Sequence, residues 1–187
     1  PAHRPAGPPP PPPPRGRPTR PAGRAGALWR GAPRARRQGI VLQRPPAGQN
    51  YRVLANRIRL EQVLVNLLQN AMEALEGRPD GRIVVALQDL GATVQVYVSD
   101  NGPGLAAEAR AHLFTPFYTT KAEGLGLGLV ICRDIVTEFG GDLIAAGPAD
   151  PVFPAPHAPG CGAMFILTLR KASGQQHATE LHHEPRS

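Results

Sequence analysis

The chain has few cysteines, few aromatics, no long apolar run and, through its first 60 residues, no acidic residue at all. Its two cysteines, Cys132 and Cys161, match no metal-ligand spacing and have no near partner in sequence. That excludes a zinc module or a disulfide framework, and both read as reduced structural thiols of a cytoplasmic chain. No apolar segment approaches the ~20 residues a membrane span requires, and the N-terminus lacks the apolar core of a secretory signal. If the protein is a membrane receptor, its spanning part is expected outside this stretch. There is no Gly-x-x-x-x-Gly-Lys-Ser/Thr, which excludes a P-loop as phosphate cradle. Aromatic residues are 5% of the chain, so a cluster of them stands out.

What is present is unevenly spread. The formal charge of +7 misleads as an average, because residues 1–60 hold 13 arginines and no lysine. The remaining residues hold 8 Lys+Arg against 14 Asp+Glu, a net −6, so a basic face for nucleic acid is not expected on the domain. Residues 1–26 contain 11 prolines, seven of them consecutive at Pro8–Pro14. Such a segment cannot bury apolar surface and is expected to be extended or disordered. A domain is expected over 27–171, and a polar, disordered tail over 172–187.

Within the domain the patterning is regular. Gly39–Gln43 and Tyr51–Leu54 read as short strands. Leu60, Val63, Leu64, Leu67, Leu68, Ala71 and Leu75 recur at three- and four-residue steps, which predicts an amphipathic helix over 57–76. Gly77-Arg-Pro-Asp-Gly81 carries helix-stopping chemistry. Arg82–Gln88 and Thr93–Ser99 read as a hairpin about Asp89–Ala92. A short helix is expected near Ala106–Leu113, an apolar helix near Leu127–Phe139, and strands at Asp142–Ala146 and Ala163–Leu169. The fold class is α/β: a two-layer sandwich of a mixed sheet with helices on one face.

Four segments carry candidate chemistry. Asp100-Asn-Gly-Pro-Gly104 places a carboxylate at the end of a strand, followed by glycines that let backbone approach a flat ligand; an ordinary turn has the same composition. Asn66, Asn70 and Glu73 project from one face of the long helix. Asn oxygen is a neutral hard ligand suited to magnesium, though the same amides also occur on solvated helix surfaces. Leu113-Phe-Thr-Pro-Phe-Tyr-Thr-Thr-Lys121 offers Phe114 and Phe117 as core plugs or as a docking surface. Its Thr119, Thr120 and Lys121 supply hydroxyls and a cation fit for phosphate. Gly124-Leu-Gly-Leu-Gly128 leads directly into a helix and reads either as a hinge or as backbone N–H groups facing an anion.

In this order the four segments resemble the ATP-binding domain of sensor histidine kinases, part of the wider gyrase–chaperone–mismatch-repair ATPase group with its Bergerat-type fold. The resembling strings are Leu60–Ala71, Asp100–Leu105, Leu113–Lys121 and Gly124–Leu129, with Gly162–Leu169 similar to the family's closing strand; the likeness covers about residues 27–171. The Thr-Thr-Lys string is most similar to kinases of the nitrogen-regulation and dicarboxylate-sensing type. The resemblance implies that Asp100 bonds the adenine amino group and that Gly102 and Gly104 let the loop pass the base. It implies that Asn70 holds Mg2+ on ATP, with Asn66 supporting the site. Thr119, Thr120 and Lys121 would face the phosphates, with Gly124, Gly126, Leu127 and Gly128 closing over them. Phe114 and Phe117 would dock on a histidine-bearing dimerisation domain. The implied partners are that domain, a response regulator and a second copy of the full-length kinase, held on the cytoplasmic side of the bacterial inner membrane, with no specific nucleic acid.

Two features depart from the family. No histidine lies in a helix-pair context: His3, His157, His177, His182 and His183 fall in tails or loops, and His112 reads as a helix-surface residue. The phosphoacceptor is therefore expected on another segment or chain. Ala163 stands where many relatives carry Thr beside the adenine, which implies modestly weaker binding. Hydrolysing members of the group carry Glu four residues before the metal-binding Asn; Asn66 cannot serve as a base, so phosphotransfer is favoured over hydrolysis. A non-catalytic nucleotide-binding module is the alternative reading.

Overall fold

The computed structural model describes residues 18–19, 35, 37–46, 51–119, 124–147, 160 and 162–172. Thr120, Lys121, Cys161, the histidines of the tails and loop, and nearly all of the N- and C-terminal segments lie outside them. The elements are β1 (Pro18–Thr19), β2 (Val41–Gln43), β3 (Val53–Leu54), α1 (Arg57–Ala74), β4 (Arg82–Asp89) and β5 (Thr93–Asp100). They continue with α2 (Ala107–His112), α3 (Gly128–Glu138), β6 (Asp142–Ala146) and β7 (Ala163–Arg170). The five-stranded sheet runs β2-β4-β5-β7-β6. The β2–β4 pair is parallel and all other pairs are antiparallel, so the sheet is mixed as expected.

Alternation along the strands builds the core. Ile83, Val85 and Leu87 on β4, Val94, Val96 and Val98 on β5, and Phe165, Leu167 and Leu169 on β7 all enter one cluster with the helices. The α1 stripe of Leu60, Val63, Leu64, Leu67, Leu68, Ala71 and Met72 covers it, joined by Cys132, Ile135 and Val136 of α3. Each buried Leu or Val there contributes roughly 1.5–3 kcal/mol. On α1 the side chain of Asn56 caps the start by accepting from the Arg59 N–H at 3.2 Å. Arg59 pairs with Glu138 at the far end of α3 and fastens the two helices at the surface.

The opposite face of the sheet is apolar as well. Ala86, Tyr97, Ala146, Met164 and Ile166 form a second buried cluster. The Tyr97 hydroxyl bonds Gln88 at 2.6 Å, and Gln95 reaches Thr168 at 3.2 Å. The central strands are therefore buried on both sides, which their near-continuous apolar sequence reflects.

Register places the candidate site. Asp100 pairs with Ile83 and with Ala163, so its carboxylate stands where β4 and β7 begin and β5 ends. Asp89 and the hairpin turn lie at the other end of the same strands.

Candidate nucleotide site

The first glycine loop is fixed by the residue between its Asp and Gly. Asn101 is buried; its Oδ1 accepts from the Arg82 N–H at 2.6 Å and its Nδ2 donates to the Asp80 carbonyl at 2.9 Å. Its own N–H bonds the Arg82 carbonyl at 3.1 Å. In sequence Asn101 stands out only by its turn-forming character, since the partners that hold it lie about 20 residues away. With Asn101 locked, Asp100 is held with one carboxylate oxygen 2.8 Å from the Gly102 N–H.

Asp100 is 3% exposed, and burial pushes its carboxyl up to about 6, opposed by backbone N–H bonds from Gly102 and Ala163 and by attraction from Arg78. A carboxylate so desolvated favours a hydrogen-bond donor brought by a ligand. Gly104 has φ +82, and a Cβ there would stand 2.8 Å from the Gly162 carbonyl oxygen. Two backbones thus touch where the loop meets β7, and only glycine meets both conditions. Ala163 adjoins this contact and turns its N–H to Asp100.

Helix α1 connects this loop to the second one. A Cβ on Gly102 would lie 3.2 Å from the Ala74 carbonyl oxygen, so the Asp100 loop rests on the last turn of α1. Asn70 is one turn earlier on the same face, half-buried, and Asn66 one turn earlier again. Asn66 meets the start of α3: its Nδ2 donates to the Cys132 sulfur at 3.1 Å. At 1.5 Å per residue the two ends of this row are about 12 Å apart. Helix α3 opens at Gly128 behind Leu127 with no side-chain cap and no acidic residue in its first turn. Its first N–H groups and the positive end of its dipole suit an anion.

The aromatic segment divides. Phe114 is partly buried against the main core, with the Arg133 guanidinium 4.8 Å from its ring centre. Phe117 is 75% exposed and holds φ +65, a left-handed conformation rare for such a residue. Gly126, with φ +66, packs on that turn: a Cβ there would stand 2.6 Å from the Tyr118 carbonyl oxygen. His112 is exposed on α2 and lies against the Tyr118 ring at 5.2 Å. Thr119 is exposed and Gly124 half-buried.

Among the described residues no group of three His, Cys, Asp or Glu side chains stands ready to hold a metal. The donor chemistry fits a magnesium ion that takes one Asn70 oxygen and completes its shell with phosphate and water. It does not fit a preformed all-protein metal cage.

Residues 55–173 match the model of the family described as histidine kinase-, DNA gyrase B- and HSP90-like ATPases. The C4-dicarboxylate transport sensor protein DctB of Rhizobium meliloti (strain 1021) is 47% identical over 138 residues, 73% of this chain and 20% of that protein. The sensor histidine kinase ZraS of Klebsiella oxytoca is 42% identical over 126 residues, 67% of this chain and 24% of that protein. The chain thus spans about a fifth of the length of the curated relatives it matches. Among solved structures, the nucleotide-free catalytic domain of histidine kinase ThkA is 32% identical with a TM-score of 0.64, covering 79% of this chain and 90% of that one. ThkA in complex with the response regulator protein TrrA is 30% identical with a TM-score of 0.60, covering 80% of this chain and 39% of that one. Since the family match takes in every element from α1 to β7, the chain belongs to the histidine kinase-, DNA gyrase B- and HSP90-like ATPase family.

Proposed function

We propose that the chain is the ATP·Mg-binding catalytic domain of a sensor histidine kinase. It would deliver the γ-phosphoryl group to a histidine on a separate dimerisation domain, for relay to a response regulator. The observation that carries this reading is the row Ala74–Asn70–Asn66 along α1. It sets a buried carboxylate at one end, an uncapped helix start at the other and a hard oxygen ligand between them. A purine nucleotide has the same order of groups: a donor amino group, then phosphates carrying a cation.

In this reading Asp100 selects adenine, and Gly102 and Gly104 give the base room. Asn70 would hold Mg2+, which would supply positive charge to the phosphates. The first turn of α3, with Gly124, Gly126, Leu127 and Gly128, faces the phosphate oxygens, helped by Thr119, Thr120 and Lys121. Neutralising and aligning the phosphates is the protein's whole contribution. An imidazole nitrogen of the partner domain then forms the P–N bond as the bond from the γ-phosphorus to the β–γ bridging oxygen breaks. ADP leaves with the bond's electron pair, and the imidazole proton passes to a base on the partner domain. Asn66, already bonded to Cys132, has no basic atom to activate water, which disfavours hydrolysis.

Phe117, exposed on its strained turn, is the docking residue; Phe114 supports it from the core. No helix among the described residues is long and apolar enough to cross a membrane, so anchoring to the inner membrane would rest on other parts of the full-length dimer. The reading is tested by titrating a non-hydrolysable ATP analogue with and without Mg2+. Labelled ATP is then supplied with a separately prepared histidine-bearing dimerisation domain of a sensor histidine kinase. Magnesium-dependent binding and label on the added domain are expected. Binding without transfer would leave only a nucleotide-binding module, and no magnesium-dependent binding would remove the proposal.

A further inference from the structure

Gly128 and Cys132 are four residues apart on α3 and share one face. That face meets the Asn66 side chain of α1. The Asn66 Nδ2 donates to the Cys132 sulfur at 3.1 Å, and the same carboxamide lies over Gly128. A Cβ on Gly128 would stand 2.8 Å from that nitrogen and 3.2 Å from Oδ1. The sulfur is itself seated 4.0 Å from the Val63 carbonyl oxygen, inside the main core. Burial pushes the thiol up, against the bond from Asn66, so the sulfur remains a neutral thiol that accepts from the amide.

We infer that Cys132 is a positioning residue for the phosphates: through Asn66 it fixes the height and direction of the first turn of α3. The inference rests on the nucleotide-binding reading above. Sulfur holds the carboxamide in one rotamer, and the carboxamide sets how closely Gly128 approaches α1. Without the sulfur, the half-buried Asn66 amide loses its buried partner and is free to rotate. The N–H groups of α3 then lose their fixed aim. The adenine end, about 12 Å away along α1, is untouched by that change. The loss is therefore specific to phosphate.

The test uses the whole chain and two probes: a non-hydrolysable ATP analogue with Mg2+, and adenosine, which lacks phosphate. Cys132→Ala is expected to weaken the analogue about tenfold, as one half-buried amide loses its partner, and to leave adenosine unchanged. Cys132→Ser, which still accepts from the amide, is expected to restore most of the affinity. Adding Cys132→Ala to Asn66→Ala is expected to cost nothing further. Gly128→Ala approaches from the other side and should reproduce the selective loss, which keeps the test open if Cys132→Ala fails to fold. Equal loss of adenosine, a serine variant as weak as alanine, or additive effects with Asn66→Ala would each overturn the inference. A wild-type chain that binds neither probe overturns instead the nucleotide reading beneath it.

Discussion

Asp89 ends β4 and Asp100 ends β5, so the hairpin carries one aspartate at its turn and one at its open end. At the turn, Asp89 accepts from the Lys171 ammonium at 2.8 and 2.9 Å and from the Gly91 N–H at 2.8 Å. Those bonds hold its carboxyl below the ordinary value, the Lys171 hydrogen bond being the largest cause. At the open end, Asp100 is buried and has backbone N–H bonds, and Arg78 attracts it only weakly. One strand pair thus holds a carboxylate paired with an ammonium at its turn and a desolvated carboxylate bonded by backbone N–H groups at its open end. The paired one closes a hairpin. The other costs stability at neutral pH, because burial outweighs its backbone N–H bonds, and a carboxylate perturbed in this way is a candidate for ligand contact.

The largest expected effect comes from equalising the two. Asp100→Asn replaces an acceptor with an amide that presents N–H groups to a donor. ATP-analogue affinity should fall about 100-fold, the order expected for a lost charged hydrogen bond plus an unpaired donor. Stability should move the opposite way. A rise from 3.8 to about 6 corresponds to about 3 kcal/mol of disfavoured ionisation at neutral pH, which the variant removes. Denaturant midpoints and calorimetric titration at pH 7 read both. A variant that loses affinity and stability together would make Asp100 a structural residue like Asp89.

The next effect is in pH. Because the Asp100 pKa is raised on folding, its contribution to stability is fully present below the ordinary value of 3.8 and is lost as pH rises through about 6. Asp89 behaves inversely: its contribution is present above the ordinary value and is lost as pH falls through its lowered one. The donor amino group of adenine favours ionised Asp100. Adenosine affinity should therefore be flat above pH 7 and fall towards tenfold per pH unit below about 6. A flat profile from pH 5 to 8 would show that this carboxylate does not touch the base.

A smaller effect separates the two phenylalanines. Phe117 holds φ +65 with its ring exposed, so Phe117→Gly relieves backbone strain at little loss of packing. The domain should gain about 1 kcal/mol of stability, since a left-handed non-glycine residue costs on that order. ATP-analogue affinity should hold while transfer to a dimerisation domain falls. Unchanged transfer would take docking away from Phe117.

Much of this was legible in the sequence, for reasons that differ by residue. The α1 stripe and the two long strands of the hairpin were readable because burial on one face imposes a period, and a period survives in a string. Asp100 was readable because a strand-end carboxylate before glycines is a local arrangement. The bond between Asn66 and Cys132 was not, since it joins residues 66 apart that meet only when α1 packs on α3. The split between Phe114 and Phe117 was hidden for a similar reason: two residues separate a ring under Arg133 from one in solvent, and the turn between them decides it. Burial of Tyr97 on the face away from the helices also escaped notice, because two-sided burial erases the alternation that reveals one-sided burial.

The smallest effect is expected where the fold has already supplied the partner. Asp89→Asn leaves the Gly91 N–H an acceptor and frees Lys171, whose side chain stays partly solvated beside the Tyr51 ring at 5.5 Å. Both members of the pair reach water, so solvent screens what is lost. β7 also remains tied at this end by backbone bonds from the Lys171 N–H to Ala92 and from the Ala172 N–H to Arg52, each 2.9 Å. The melting temperature should therefore drop only slightly at low salt, and the difference should vanish in molar salt as the pair is screened in the wild type too. Nucleotide affinity should not change, because Asp89 is a full strand length from Asp100. A drop in affinity with Asp89→Asn would mean that the two ends of the hairpin are coupled, and the contrast between them would have to be redrawn as one network.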